Sequence, residues 1–564
     1  MSEAGKKQNF LQGAAWLAMA TIVVKIIGAI FKFPLQFIIG DEGYSYFTTA
    51  YDIYSLLMTV ATAGLPLALS RMTSAANALG QGRQVRRIFK TGRAIYLSLG
   101  FAGMMLMLLF AKPFSVSQGQ PDAWIAVACL APSAFLISYM SAFRGFFQGQ
   151  GNMRPTSQSQ MLESVIKLVV GLAFAYVLKE LTGSLAYAAA GGIIGVTVSC
   201  LVSMLFLRSK FTPSWKALGD NPEGVTGYKT ILKDLLVIAI PITIGSAGLQ
   251  LLNLAEVGLY MGNLANIAGN PAIDLDLVAE IKTELLQNPI NQALSPALLN
   301  SKIASNMKGI YNFMYTFFNM PVAFIGPITI SVLPAITEQL TLKKYDMVRE
   351  TEESAARVTG LLALPCGVGM TLLARPIASL LGYTDARLEF AATVLTILGV
   401  CIFFYAAVTF TNSILQSHNY AYIPVINTVV CGVVRLGLVY YLTSNPYIHA
   451  IGIPIGGMFS FVSILLLNLF AIYRLAPQKP RLLRNLLRPV LPSAIMGVAV
   501  FAARMVLENF LQGGGRLHAV ILCGICVLIG VVVYAVAIVL LKTIKKEDCL
   551  LLPKGEKIAK LLHL

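Results

Sequence analysis

The sequence predicts an all-α polytopic membrane protein with about fourteen transmembrane helices, arranged as two six-helix lobes and a C-terminal pair. Three observations predict it: an apolar composition, apolar runs of about twenty residues, and loops whose charge alternates along the chain. Of 564 residues, 56% are hydrophobic and only 12% are charged, whereas a soluble domain carries roughly a quarter charged. At a mean hydropathy of +0.72, a water-facing surface would be apolar almost everywhere. In a bilayer the backbone must satisfy its own hydrogen bonds, which leaves helices or a closed barrel. Runs of about 20 residues without ten-residue alternation select the helix.

The elements follow in chain order, with spans of about 12–39, 44–70, 94–112, 122–141, 161–179 and 184–207 forming a first set. A second set reads at about 233–260, 308–334, 357–373, 387–412, 422–443 and 448–473, and a final pair at about 491–511 and 518–542. The first span runs past Lys25 with no short apolar region and cleavage site, so it reads as a retained helix rather than a signal peptide. Eight cysteines lie scattered in apolar segments, which argues against a disulfide framework.

Loop charge sets the orientation. Loop 71–93 holds Arg71, Arg83, Arg86, Arg87, Lys90 and Arg93 without an acid, and loop 474–490 holds Arg474, Lys479, Arg481, Arg484 and Arg488. Lys542, Lys545, Lys546, Lys554, Lys557 and Lys560 make the tail basic. With fourteen spans these fall on the side of Lys6 and Lys7, the cytoplasmic side by the positive-inside rule. The expectation is a bacterial cytoplasmic-membrane protein with both termini inside. Its net charge of +17 serves orientation and contact with anionic lipid head groups, and no nucleic acid is expected as a partner. The other side carries one long insertion near 261–307, with Asp274, Asp276, Glu280 and Glu284.

The two six-helix sets repeat each other. Leu65-Pro66 answers Leu333-Pro334, and Ala111-Lys112-Pro113 answers Ala374-Arg375-Pro376. Gln148 answers Gln416 and Lys167 answers Arg435, both at an offset of 268. Six helices is an even number, so the copies enter the membrane in the same sense, related by a pseudo-twofold along its normal with a cavity between them. The lobes are expected at 1–210 and 211–476, with residues 477–564 forming the last two spans and the tail. That layout suits a transporter working by alternating access.

Ionisable side chains within a span cost about 2.5 kcal/mol or more and usually face a cavity or a partner. Lys25 lies mid-span with Lys32 seven residues on, so the two share roughly one face. Asp52, Glu163, Lys167, Glu256, Arg435 and Arg504 lie in later spans. Glu163 and Lys167 are spaced to pair on their own helix, Lys32 and Arg435 are within reach of snorkelling outward, and Arg504 reads as structural. Against those readings, the repeat puts Lys167 and Arg435 at equivalent points. Lys25, Lys32, Lys167 and Arg435 are therefore the expected cavity cations, suited to an anionic head group such as a pyrophosphate. Asp52, Glu163 and Glu256 are expected to neutralise those cations or to bind a coupling ion.

Several chemistries are not signalled. No phosphate-cradling Gly-rich loop with Lys-Ser/Thr occurs, so no nucleotide cofactor is expected and any drive falls to membrane potential or an ion gradient. Four histidines show no metal spacing, and Cys523-x-x-Cys526 has no second pair, so it reads as packing and no metal site is expected. No nucleophile motif appears, and the chain does not read as an enzyme.

Three stretches carry a family resemblance: Lys25-Ile-Ile-Gly28-Ala-Ile-Phe-Lys32, Ala63-Gly64-Leu65-Pro66-Leu-Ala-Leu-Ser70-Arg71, and Phe143-Arg144-Gly145-Phe-Phe-Gln148-Gly149-Gln-Gly151-Asn152-Met-Arg-Pro155. Over residues 10 to about 475 the chain resembles the polysaccharide-biosynthesis branch of the multidrug/oligosaccharidyl-lipid/polysaccharide exporter superfamily. Within it, the likeness is to the stage V sporulation protein B and YtgP group, relatives of the lipid II flippase MurJ. The resemblance implies a two-lobed transporter moving an undecaprenyl-pyrophosphate-linked precursor between leaflets. It implies cavity roles for Lys25 and Lys32, and marks Arg144 and Gln148 as a motif or gating loop. The proteobacterial branch has an arginine further along its second helix, where Leu56–Val60 here carries no charge.

A lipid-linked oligosaccharide flippase is thus the leading expectation, with lipid II as the favoured partner. The alternatives are a flippase for another lipid-linked polysaccharide or a cation-coupled drug exporter, which would prefer cavity acids. A membrane glycosyltransferase and a scaffold for cell-wall synthesis proteins are the remaining readings.

Overall fold

The computed structural model describes residues 3–545 apart from 63–64, 220–224, 274, 332–335, 338, 341, 477–478 and 511–515, together with Asp548. Asp274, the Leu333-Pro334 arm of the repeat, and Lys546, Lys554, Lys557 and Lys560 lie outside the described residues, as do the side chains of Lys6 and Lys7. The described residues form helices and turns without a strand, and eleven of the helices are long and apolar enough to cross a membrane.

The spans read at 12–39 and 44–70 are joined without a loop in α1, Glu3–Thr62, which turns at Gly40 (φ 66, ψ −176). That left-handed conformation is open to glycine and costly for other residues. A Cβ there would meet nothing within 4 Å, so backbone conformation and not space requires the glycine. The bend is sharp. Phe31 and Phe47 have ring centroids 5.9 Å apart, whereas sixteen residues of straight helix would separate them by about 24 Å. The two arms of α1 therefore fold back on each other.

The chain then continues through α2 (Leu65–Ala78), α3 (Gly82–Ser117), α4 (Trp124–Gly149), α5 (Arg154–Thr182), α6 (Leu185–Lys216) and α7 (Tyr228–Gly269). The basic stretch 71–93, read as a loop, is mostly helical: Arg71 lies in α2, and Arg83 to Arg93 lie in the first turns of α3. Next come α8 (Asp276–Gln287), α9 (Pro289–Gln292) and α10 (Pro296–Ser331). They are followed by α11 (Tyr345–Leu372), α12 (Ala374–Leu380), α13 (Asp385–Ser417), α14 (Tyr422–Ser444), α15 (Gly452–Leu475), α16 (Leu482–Leu487), α17 (Val490–Phe510) and α18 (Arg516–Leu540). The chain divides into two compact units, one of residues 1–265 and 300–313, the other of residues 266–299 and 314–564.

In the first unit, small residues set the helix contacts. A Cβ on Gly195 of α6 would lie 2.3 Å from Gly171 Cα of α5, and one on Gly191 would lie 2.5 Å from Phe174 O. Helices in lipid gain little from hydrophobic exclusion, so such close backbone approach supplies the packing. Gly145 and Gly149 of α4 do the same against Pro66, Ser70 and Thr73 of α2. Their spacing of four places both on one face of α4.

In the second unit, the core gathers Ala356, Ala407, Phe410, Ile414, Leu465, Leu469, Ile472, Leu482 and Leu486 from α11, α13, α15 and α16. One end of this core is fastened by charge. Arg357, buried in α11, makes a two-pronged bond to Asp548 beyond α18 (Nη2–Oδ1 2.8 Å, Nε–Oδ2 3.0 Å) and donates to Asn485 Oδ1 of α16 at 3.0 Å. Beside it, Glu352 meets His418 Nε2 at 2.7 Å. Arg387 at the start of α13 pairs with Glu280 and Glu284 of α8, so two acids of the predicted insertion have a local packing role. Outward faces of α14 and α18 remain apolar and exposed, including Val430, Val433, Val434, Val527, Leu528 and Val531, as a lipid-facing surface requires.

Candidate functional site

The site begins with the fold-back of α1. Lys32 on its first arm and Asp52 on its second are twenty residues apart, yet lie within electrostatic reach of each other because Gly40 reverses the helix. Lys167 of α5 joins them: its Nζ sits 5.7 Å from the centroid of the Phe31 ring, a favourable place for a cation over a π face. Lys167 and Lys32 are close enough to oppose each other's charge.

Two ion pairs bound this cluster. Arg144 of α4 donates through Nη2 to Glu163 Oε2 of α5 at 2.9 Å and through Nε to Ser159 Oγ at 3.3 Å. The expected pairing of Glu163 with Lys167 along one helix gives way to this contact from a neighbouring helix. The planar guanidinium reaches both Glu163 and Ser159, which a flexible ammonium on the same helix does not match. Glu163 still acts on Lys167 through space. At the other end, Lys308 of α10 is wholly buried, donates to Thr49 Oγ1 at 2.6 Å and lies 3.6 Å from Asp52 Oδ2.

Four cations (Lys32, Arg144, Lys167, Lys308) thus share one neighbourhood with two acids (Asp52, Glu163). Counted by residue type, the surplus is two cations. It sits in a unit whose surroundings are apolar, where charge is felt more strongly than in water. Lys25 is exposed on α1, about two turns ahead of Lys32.

The remaining expected residues are dispersed. Glu256 is buried in α7, on a stretch that reaches α1 through Gln250, which accepts from Ser55 Oγ at 3.1 Å. Arg435 lies in α14 of the second unit, its side chain laid along Gly456 and Gly457 of α15. Arg144 and Gln148 occupy the last turns of α4, not a loop, and the glycines beside them are those that let α4 meet α2. Arg504 pairs with Glu508 on its own helix and donates to Leu372 O, a structural role as expected.

Lys308 is the residue missed. Hydropathy starts the second-set span at 308, which puts Lys308 at its end. Helix α10 starts at Pro296, twelve residues earlier, and carries Lys308 well inside. The signal was present: Lys302, Lys308 and Asn312 recur on one polar face of α10. Lys302 bonds Glu42, which also accepts from Tyr46 at 2.7 Å, and Asn312 donates to Thr48 at 2.8 Å. A Cβ on Gly309 would strike Asp41 O at 1.9 Å. The start of α10 is therefore docked along the second arm of α1.

Comparison with known proteins bears on the family and the fold. Residues 10–269 match the family described as polysaccharide biosynthesis protein, and residues 299–441 match the MatE family. The chain is 26% identical over 547 residues to the lipid II flippase MurJ of Bacillus subtilis (strain 168), covering 93% of this chain and 94% of that protein. It is 23% identical to stage V sporulation protein B of the same organism, covering 97% and 98%. Among solved structures, MurJ in an inward closed conformation superposes with a TM-score of 0.61 at 13% identity, covering 92% of this chain and 97% of the other. A multidrug resistance transporter of the MATE family, inward-facing, gives 0.56 at 17% identity over 81% and 94%. The helical fold of this chain is that of MurJ and the MATE proteins, and it is a multi-pass membrane protein. Of these proteins, MurJ is named a flippase and the MATE protein a transporter.

Proposed function

We propose, for a chain that belongs to the polysaccharide-biosynthesis branch of the multidrug/oligosaccharidyl-lipid/polysaccharide exporter superfamily, that it flips an undecaprenyl-pyrophosphate-linked cell-wall precursor, foremost lipid II, from the inner to the outer leaflet by alternating access. The observation that supports this reading is the surplus of two cations around Lys32 and Lys167. A saccharide-pyrophosphate head cannot cross hydrocarbon unaided, while its lipid tail stays in the bilayer. A pyrophosphate brings the negative charge that would pair Lys32 and Lys167, since Asp52 already meets Lys308 and Glu163 already meets Arg144. Each charge-assisted hydrogen bond so gained contributes roughly 1.5–3 kcal/mol.

In this reading Lys25, Lys32 and Lys167 meet the head group in the first unit, and Arg435 serves as their counterpart in the second. Asp52 and Glu163 hold Lys308 and Arg144 in place and keep the site from carrying four uncompensated charges. Glu256 is the remaining acid for ion coupling, with membrane potential or an ion gradient as the drive. The lobes are those of the repeat, 1–210 and 211–476, followed by 477–564, in the bacterial cytoplasmic membrane with both termini inside. A cation-coupled drug exporter would need an acidic surplus, and the cluster has the opposite sign.

The test is growth of a cell depleted of its own lipid II flippase. The parent chain is expected to restore growth, and Lys25→Ala, expressed to the same level, to fail. Full rescue by Lys25→Ala would remove Lys25 from the site. No rescue by a well-expressed parent would move the cargo to another undecaprenyl-pyrophosphate saccharide.

A further inference from the structure

Away from the cation cluster, α7 presents a second surface. Ile231, Leu235 and Ala239 form its buried face. On another face, Lys229, Leu232, Lys233, Leu236, Val237 and Ile240 line an open groove of about 550 Å³. Their spacing of three and four residues makes one continuous helical stripe. From Lys229 to Ile240 it runs about 16 Å. Both lysines sit at one end and everything beyond them is apolar.

A third cation stands at the basic end. Arg87 of α3 packs its guanidinium 5.1 Å from the centroid of the Tyr228 ring and donates to Thr226 O at 3.0 Å, beside the residue that begins the groove. Asp234 is exposed on the same turn of α7 but does not line the groove.

We propose that this surface binds one anionic glycerophospholipid of the bilayer, its phosphate at Lys229 and Lys233 and an acyl chain along Leu232, Leu236, Val237 and Ile240. The charge pattern selects that occupant. A free phosphate gains nothing from the apolar run, and a zwitterionic lipid gains less from the paired lysines because its own cation offsets its phosphate. A peptide would leave its backbone polar groups unmet along an apolar wall. A basic cluster at a helix end flanked by lipid-facing side chains is the arrangement by which anionic head groups are recognised.

The experiment uses the full chain, purified in mild detergent, stripped of co-purifying lipid and titrated with phosphatidylglycerol or phosphatidylcholine. Bound lipid is counted by native mass spectrometry. The parent is expected to retain one phosphatidylglycerol with roughly tenfold preference over phosphatidylcholine, and Lys229→Gln/Lys233→Gln to lose that preference. Val237→Trp, which fills the groove and keeps both lysines, is expected to lower retention of both lipids. Raising salt on the unmodified chain should weaken phosphatidylglycerol retention alone, a reading that needs no substitution. Equal retention of the two lipids by the parent overturns the proposal. So does a preference that survives the double substitution, because it would then belong to other basic segments.

Discussion

The two units solve the same crossing of helices with different chemistry. In the first, Arg144 reaches Glu163 and Ser159. An offset of 268, the one that links Lys167 to Arg435, carries Arg144 to Asn412, Ser159 to Asn427, Glu163 to Cys431 and Cys200 to Asn468. At those stations the second unit holds a neutral amide network. Asn427 donates to Asn468 at 2.9 Å, and Asn468 donates to Asn412 at 2.7 Å and to Thr411 at 3.1 Å. A polar tie at this depth is common to both copies. Ionisation of that tie belongs to the first copy alone, where Lys32 and Lys308 add to it. Buried charge in the second unit goes instead to fasteners, Arg357 with Asp548 and Glu352 with His418. The difference teaches that the excess of cations belongs to the first unit, to which the repeat contributes Lys167 but not Lys32 or Arg144.

The largest effect should come from undoing a fastener. Asp548→Ala leaves Arg357 buried without a carboxylate, with only Asn485 to meet it, a loss of about 3–5 kcal/mol. It should appear as a lower thermal midpoint in detergent, with transport per folded molecule kept. Transport abolished at unchanged stability would erase the division of labour between the units. Next, Lys32→Gln should lower flipping in reconstituted vesicles by roughly 10–100-fold, equivalent to one lost charge-assisted bond, while thermal stability holds. Arg435→Gln should do less. A larger effect at Arg435 would reverse the assignment of the surplus to the first unit. The smallest effect sharpens the comparison by grafting. Asn412→Arg and Cys431→Glu are each expected to destabilise, and the pair to recover about 1 kcal/mol of coupling in a double-mutant cycle. Zero coupling would mean that the offset does not superpose the two crossings.

Much of this was legible in the chain itself. Long apolar runs carried the helical class, and the last two spans, read at 491–511 and 518–542, lie close to α17 (Val490–Phe510) and α18 (Arg516–Leu540). The repeat was legible too, and its offset leads straight to the Asn412–Asn427–Asn468 network. What hydropathy could not show was polar residues satisfied from other helices. Gly40-Asp41-Glu42-Gly43 reads as a loop because two acids interrupt the apolar run. Glu42 is instead met by Lys302 and Tyr46, and Asp41 by Gln36, so the segment stays helical on both sides of one glycine. Lys308 was hidden for the same reason, trimmed off an apolar window although Thr49 and Asp52 meet it. Spacing along the helix pairs Glu163 with Lys167 and says nothing of Arg144, nineteen residues away in sequence and 2.9 Å away in space.

The tether between Arg357 and Asp548 has a consequence for how the molecule is made. Arg357 emerges from the ribosome 191 residues before its carboxylate does. Throughout that interval a guanidinium must wait at the edge of a half-inserted bundle, answered by water, lipid phosphate or the later-arriving Asn485. The ion pair that completes the fastening of α11 can therefore close only after α18 has been made, so this part of the second unit is secured later than its apolar core, which α11, α13, α15 and α16 already supply.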